Sequence, residues 1–97
     1  MNKYEILKNL LQTVGEGEMT CYGNSMQPIF NSKSTLLFKR FETYEVGDCV
    51  FCKVNGRYID CHKITKKDGD RYMISNNHGW DNGWTRIIYG KVIKLIR

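Results

Sequence analysis

Proline is almost missing from this chain: Pro28 is the only one in 97 residues. The fixed φ and lost N–H donor that proline brings are therefore spent at one place. No stretch approaches the ~20 consecutive apolar residues that would span a bilayer. The N-terminus reads poorly as a secretory signal because Lys8, Asn9 and Gln12 interrupt its apolar residues. Repeats, linkers and low-complexity segments are absent, and at 41% hydrophobic content a chain this short supports one domain, residues 1–97, with one modest core. A cytoplasmic protein without a transmembrane segment is the expectation.

A gathered charge is also lacking. The net charge is +5, but Lys and Arg are scattered from Lys3 to Arg97, and the densest group, Lys63, Lys66 and Lys67, is followed at once by Asp68 and Asp70. That pattern reads as a solvated surface, so nucleic acid is an unlikely partner. A nucleic-acid face would need Lys39, Arg40, Lys53, Arg57 and Lys63 on one side, interleaved with exposed Phe41, Tyr58 or Trp80.

The four cysteines, Cys21, Cys49, Cys52 and Cys61, are even in number, yet without an export signal they read as free thiols. Cys49-x-x-Cys52 lacks the second Cys-x-x-Cys that would complete four zinc ligands. If Asn55-Gly56 is a two-residue hairpin turn, Cys52 faces Ile59, Val50 faces Cys61 and Cys49 faces His62, and Cys49 and Cys52 point to opposite sides of the sheet. No metal and no cofactor are expected. The same register puts His62 on one face with Cys49, Phe51, Tyr58, Asp60 and Ile64.

What is present organises as one helix and about six short strands. Tyr4, Ile6, Leu7, Leu10, Leu11 and Val14 fall at helical spacing, predicting an amphipathic helix over 1–14 that Gly15 closes. Residues 18–96 then read as a small, mainly β, antiparallel domain. Its predicted strands are Glu18–Tyr22, Ser34–Arg40, Cys49–Val54, Arg57–Ile64, Arg71–Ser75 and Arg86–Ile96. Asn76 to Trp84 reads as a loop, and Gly90 as a bulge or kink.

Between the first two strands lies Gly23-Asn24-Ser25-Met26-Gln27-Pro28-Ile29-Phe30. Gly and Asn suit a sharp reversal, and a serine on such a corner is either an ordinary turn or cap residue or a presented nucleophile. This stretch resembles the Ser-Met-x-Pro box of signal peptidases and their soluble relatives, the clan that also holds the LexA and UmuD self-cleaving proteins. Val46-Gly47-Asp48-Cys49-Val50-Phe51 is similar to the clan's Gly-Asp-hydrophobic strand, and Cys61-His62-Lys63-Ile64 to its His-Arg-hydrophobic box. Ser75-Asn76-Asn77 through Asp81 resembles its acidic loop, and Ile88 to Ile93 its closing Gly-Lys/Arg-Val strand. The resemblance covers Thr20 to Ile96.

It implies a LexA/signal-peptidase-like β domain in which Ser25 is the nucleophile, His62 stands at the base position and Asp81 orients it. The turn of Gly23, Asn24 and Ser25 would supply oxyanion donors, and Met26, Pro28, His78 and Trp80 are candidates for substrate contact. It implies a peptide or protein substrate laid along an exposed strand edge. Two alternatives stay open: a catalytically silent binding module on the same fold, such as a phage or mobile-element protein engaging a host factor, and the basic nucleic-acid-binding β domain.

Overall fold

The computed structural model describes residues 2–22 and 33–97. Helix α1 spans Lys3–Thr13, with the Asn2 side chain accepting from the Glu5 N–H at its start. Gly15, at φ 94°, closes it by donating its N–H to the Leu10 carbonyl. Seven strands follow among the described residues: β1 (Glu16–Tyr22), β2 (Lys33–Lys39), β3 (Cys49–Val54), β4 (Arg57–Asp68), β5 (Arg71–Ser75), β6 (Asp81–Thr85) and β7 (Ile87–Leu95). They form one antiparallel sheet in the order β1-β2-β7-β3-β4-β5-β6. The mainly β fold, with one short N-terminal helix among the described residues, is the one expected. Among the described residues, no helix is long and apolar enough to cross a membrane.

Two corrections arise. The stretch Asn76 to Trp84, expected as a loop, contains all of β6 but its last residue, Thr85; its Asp-Asn-Gly content masked the strand in the sequence. The hairpin register changes part way along. Asn55 at φ 51° and Gly56 at φ 80° make the expected two-residue turn, and Val54 pairs with Arg57 and Cys52 with Ile59. Beyond that point the register shifts, so Val50 pairs with His62 and Cys49 with Lys63, instead of Val50 with Cys61 and Cys49 with His62. Two residues, Asp60 and Cys61, oppose Phe51 alone, and such a bulge moves every later side chain to the other face.

Central strand β3 is buried on both sides. Phe51 packs under α1 with Leu7, Leu11, Met19, Cys21, Leu36, Phe38 and Cys61. Val50, Cys52 and Val54 pack on the other face with Tyr44, Ile64, Tyr72 and Ile74. That second face is closed by the curl of the sheet. Thr85 donates its hydroxyl to the Lys53 carbonyl at 2.5 Å, tying β6 back onto β3.

Two glycines form the floor under the helix. A Cβ on Gly17 would stand 2.9 Å from Leu7 Cδ1, and one on Gly90 would stand 3.0 Å from both Leu11 Cδ2 and the Lys39 carbonyl. Gly90 adjoins the β7 register shift, so its expected role as a kink is joined by a second one, close approach of a helix. Tyr58 fastens the helix from the side, donating its hydroxyl to Glu5 Oε1 at 2.7 Å and stacking on Tyr4 with centroids 5.6 Å apart.

Gly90→Ala should lower unfolding stability by about 1–3 kcal/mol through overpacking, and Leu11→Ala by about 2–5 kcal/mol through the cavity it leaves. Because Leu11 is one of the two groups the new methyl meets, the double variant should lose less than the sum in urea denaturation. Strict additivity would mean that the helix does not rest on Gly90.

Candidate active site

His62 sits in the middle of β4, opposite Val50 and beside the register shift. It is half-buried, and its Nδ1 is buried with no hydrogen-bond partner among the described residues. A buried polar atom without a partner is costly and uncommon, which makes this nitrogen conspicuous. Burial pushes the His62 pKa below its ordinary 6.5, while the Asp60 carboxylate and the Cys61 backbone oppose that shift. Burial thereby favours the neutral imidazole, the form in which it can accept a proton.

Asp60 is held where its charge matters. Its Oδ1 accepts from the Cys61 N–H at 3.0 Å, inside the pair of residues that oppose Phe51. Its charge also acts on Cys21, which burial pushes up to about 12. Cys21 and Cys61 belong to one packed cluster, so the end of β1 lies against the segment of β4 that leads into His62.

Ser25, with Gly23, Asn24, Met26 and Pro28, lies outside the described residues. What can be fixed is the anchor on either side: Cys21 pairs with Ser34 and Tyr22 with Lys33. Ser25 is four residues beyond Cys21, and four residues reach at most ~14 Å.

Asp81 opens β6, paired with Ser75. Its Oδ1 accepts from the Ser75 hydroxyl at 2.6 Å, and Ser75 also shares a hydrogen bond with the Thr65 hydroxyl at 2.8 Å. Ser75 is opposite Lys63, one residue out of phase with His62 along β4. The carboxylate whose charge acts on His62 is Asp60, a residue the sequence reading set on the histidine's face without giving it a role. Its signal was the i, i+2 spacing to His62; the bulge that positions it had none. The Asn76 side chain caps the turn before β6, its Oδ1 accepting from the His78 and Trp80 N–H groups at 2.9 and 3.0 Å. Trp80 is 75% exposed, and the Arg71 guanidinium lies 4.9 Å from the Trp84 ring centre.

All four cysteines are free. Cys49 packs beneath the helix and Cys52 on the opposite face, the separation expected of them. Cys49 instead meets Cys61: the hydrogen bond between the two thiols holds Cys49 below and Cys61 above the ordinary thiol range, with Lys63 assisting Cys49. Among the described residues no group of three or more His, Cys, Asp or Glu is placed to hold a metal ion.

The family model described as Peptidase S24-like matches residues 9–93. Neither a search of curated proteins nor one of solved structures returns a match.

The lowered His62 pKa has a stability signature. The unfolded chain takes up this proton near 6.5 and the folded chain only at lower pH, so between those values the unfolded state binds more protons. Stability should therefore fall as pH drops below about 6.5 and stop falling, for this group, below the folded pKa. In chemical denaturation between pH 5 and 7, His62→Gln should show a shallower dependence on pH than the native chain. An unchanged slope would mean that His62 is not desolvated.

Proposed function

The chain belongs to the Peptidase S24-like family, and on that premise we propose that it is a serine endopeptidase whose nucleophile is Ser25 and whose general base is His62. The observation that carries the reading is the His62 imidazole, with a buried nitrogen that lacks a partner among the described residues. It stands next to Cys61, which packs against the strand end four residues ahead of Ser25. A hydroxyl arriving from that strand end would give the nitrogen its missing partner.

The chemistry follows from those groups. Ser25 Oγ adds to a peptide carbonyl as His62 takes its proton; the imidazolium then returns the proton to the departing amine, leaving an acyl-serine. Water attacks the ester with His62 again as base, releasing the acid and restoring Ser25. Backbone N–H groups of the Gly23, Asn24 and Ser25 turn would stabilise the oxyanion. In this reading Asp60 supplies the carboxylate that favours the charged imidazole, and its opposition to the burial shift of His62 supports that role. Asp81, the carboxylate nominated by the resemblance, is the other candidate. Bonded to Ser75, it braces the turn that presents His78 and Trp80, which the proposal assigns, with Met26 and Pro28, to substrate contact.

The test is cleavage of a diverse peptide pool read by mass spectrometry. Ser25→Ala should abolish every cut that the native chain makes, and His62→Gln should slow them by about 10²- to 10⁴-fold. The rate should rise with pH through a midpoint below 6.5, and Asp60→Asn should move that midpoint lower still, because the aspartate raises the histidine's pKa. If Asp81→Asn moves the midpoint and Asp60→Asn does not, the carboxylate assignment reverses. Identical product profiles for the native chain and Ser25→Ala would retire the peptidase reading in favour of a binding module on the same fold.

A further inference from the structure

On the face of the sheet away from α1, the paired starts of the stretch that carries Ser25 form one wall of a cleft lined by Thr20, Tyr22, Lys33, Thr35 and Arg97. The charged side chains of its lining, Lys33 and Arg97, are both basic, while Glu16 and Glu18 lie further along the same face of β1. Arg97 is moored there by its backbone: its carbonyl accepts from the Thr35 N–H at 2.7 Å, and its own N–H donates to the Thr35 carbonyl at 3.3 Å. Lys33 pairs with Tyr22 across the strands.

Two ammonium groups lie near the Tyr22 ring, itself 63% exposed: Lys3 Nζ at 5.0 Å and Lys33 Nζ at 6.0 Å from its centre. None of Lys3, Lys33 and Arg97 makes an ion pair with a described residue. Five other basic side chains are matched with carboxylates among the described residues: Lys8 with Glu5, Lys67 with Glu45, Arg71 with Asp68, Arg86 with Asp70, and Lys91 with Asp48. The Thr20 and Thr35 hydroxyls of the lining share a hydrogen bond of 2.9 Å, which leaves one hydroxyl hydrogen and further lone pairs unused by that bond.

We propose that this cleft binds the carboxylate side chains of an acidic peptide. Charge complementarity selects the ligand, and topology selects its form. β1 is an edge of the sheet, so an extended peptide can add beside it and send alternate side chains over the face that Thr20 and Tyr22 share. One acceptor on that edge, the Thr20 carbonyl, is occupied by Lys3 Nζ at 2.8 Å. A strand added there displaces the ammonium and frees it for the incoming carboxylate. That the peptide is a substrate rests on the assignment of Ser25 as nucleophile; that the cleft binds it does not.

The experiment separates the two. The full chain carrying Ser25→Ala, labelled with ¹⁵N, is titrated with the acetylated, amidated peptide Ala-Glu-Ala-Glu-Ala, with its glutamine counterpart, and with a ten-nucleotide oligo-dT. The glutamate peptide should shift the amides of Thr20, Tyr22, Lys33 and Thr35 to saturation and bind about 3- to 10-fold more tightly than the glutamine peptide. Lys33→Gln with Arg97→Gln should remove that preference, while Lys66→Gln, an exposed lysine outside the cleft, should keep it. Equal affinity for the two peptides, or shifts confined to other residues, overturns the proposal. Tighter binding of oligo-dT at the same amides overturns it also, in favour of a phosphate-binding face. Since Ser25 is replaced throughout, loss of the peptidase reading would leave these outcomes unchanged.

Discussion

Strand β3 must be covered on both of its faces, and the rest of the architecture answers that demand. Val50, Phe51 and Cys52 are consecutive and all fully buried, so a single sheet with one wet side cannot hold them. On the Phe51 side the cover is a helix, docked through a cluster of aromatic rings and a glycine floor. On the Val50 and Cys52 side the cover is the sheet itself, bent until β6 is pinned to the Lys53 carbonyl. The register shifts opposite Phe51 allow both at once. They let a strand that pairs regularly at its turn present different partners at its far end, which is where His62 stands.

That same shift separates what could be read in the sequence from what could not. The hairpin turn was legible because Asn-Gly is among the few pairs that readily take two left-handed residues in a row. The helix, its glycine stop and the positions of most strands were legible from periodicity. A bulge leaves no such mark: Asp60-Cys61 differ from their neighbours in nothing that signals an extra residue, and the error of one position moved Cys61 and His62 each to the wrong face. β6 was hidden for a related reason. Its Asp-Asn-Gly start has loop chemistry, and only its pairing with β5 and closure over β3 make it a strand.

The candidate site divides along the same line. Local motif spelling picked out Ser25, His62 and Asp81, whereas the charge that acts on His62 comes from Asp60 through a backbone irregularity that spelling does not record. The Cys49–Cys61 contact is another product of the shifted register; a regular hairpin would have placed these thiols on opposite faces. Both cases show tertiary pairing deciding which side chains meet after local sequence has decided what they are.

The glycine floor gives the thiols a further meaning. Leu7 and Leu11 rest where Gly17 and Gly90 leave no side chain of their own, so at those two points the helix meets the sheet's backbone, and the side chains around them complete the contact. If the helix lifts, the cluster it uncovers includes Phe38, Phe51, Cys21 and Cys61. Sulfhydryl chemistry at those two positions then becomes a clock for undocking of the first thirteen residues, and it keeps time independently of whether the rest of the sheet has opened.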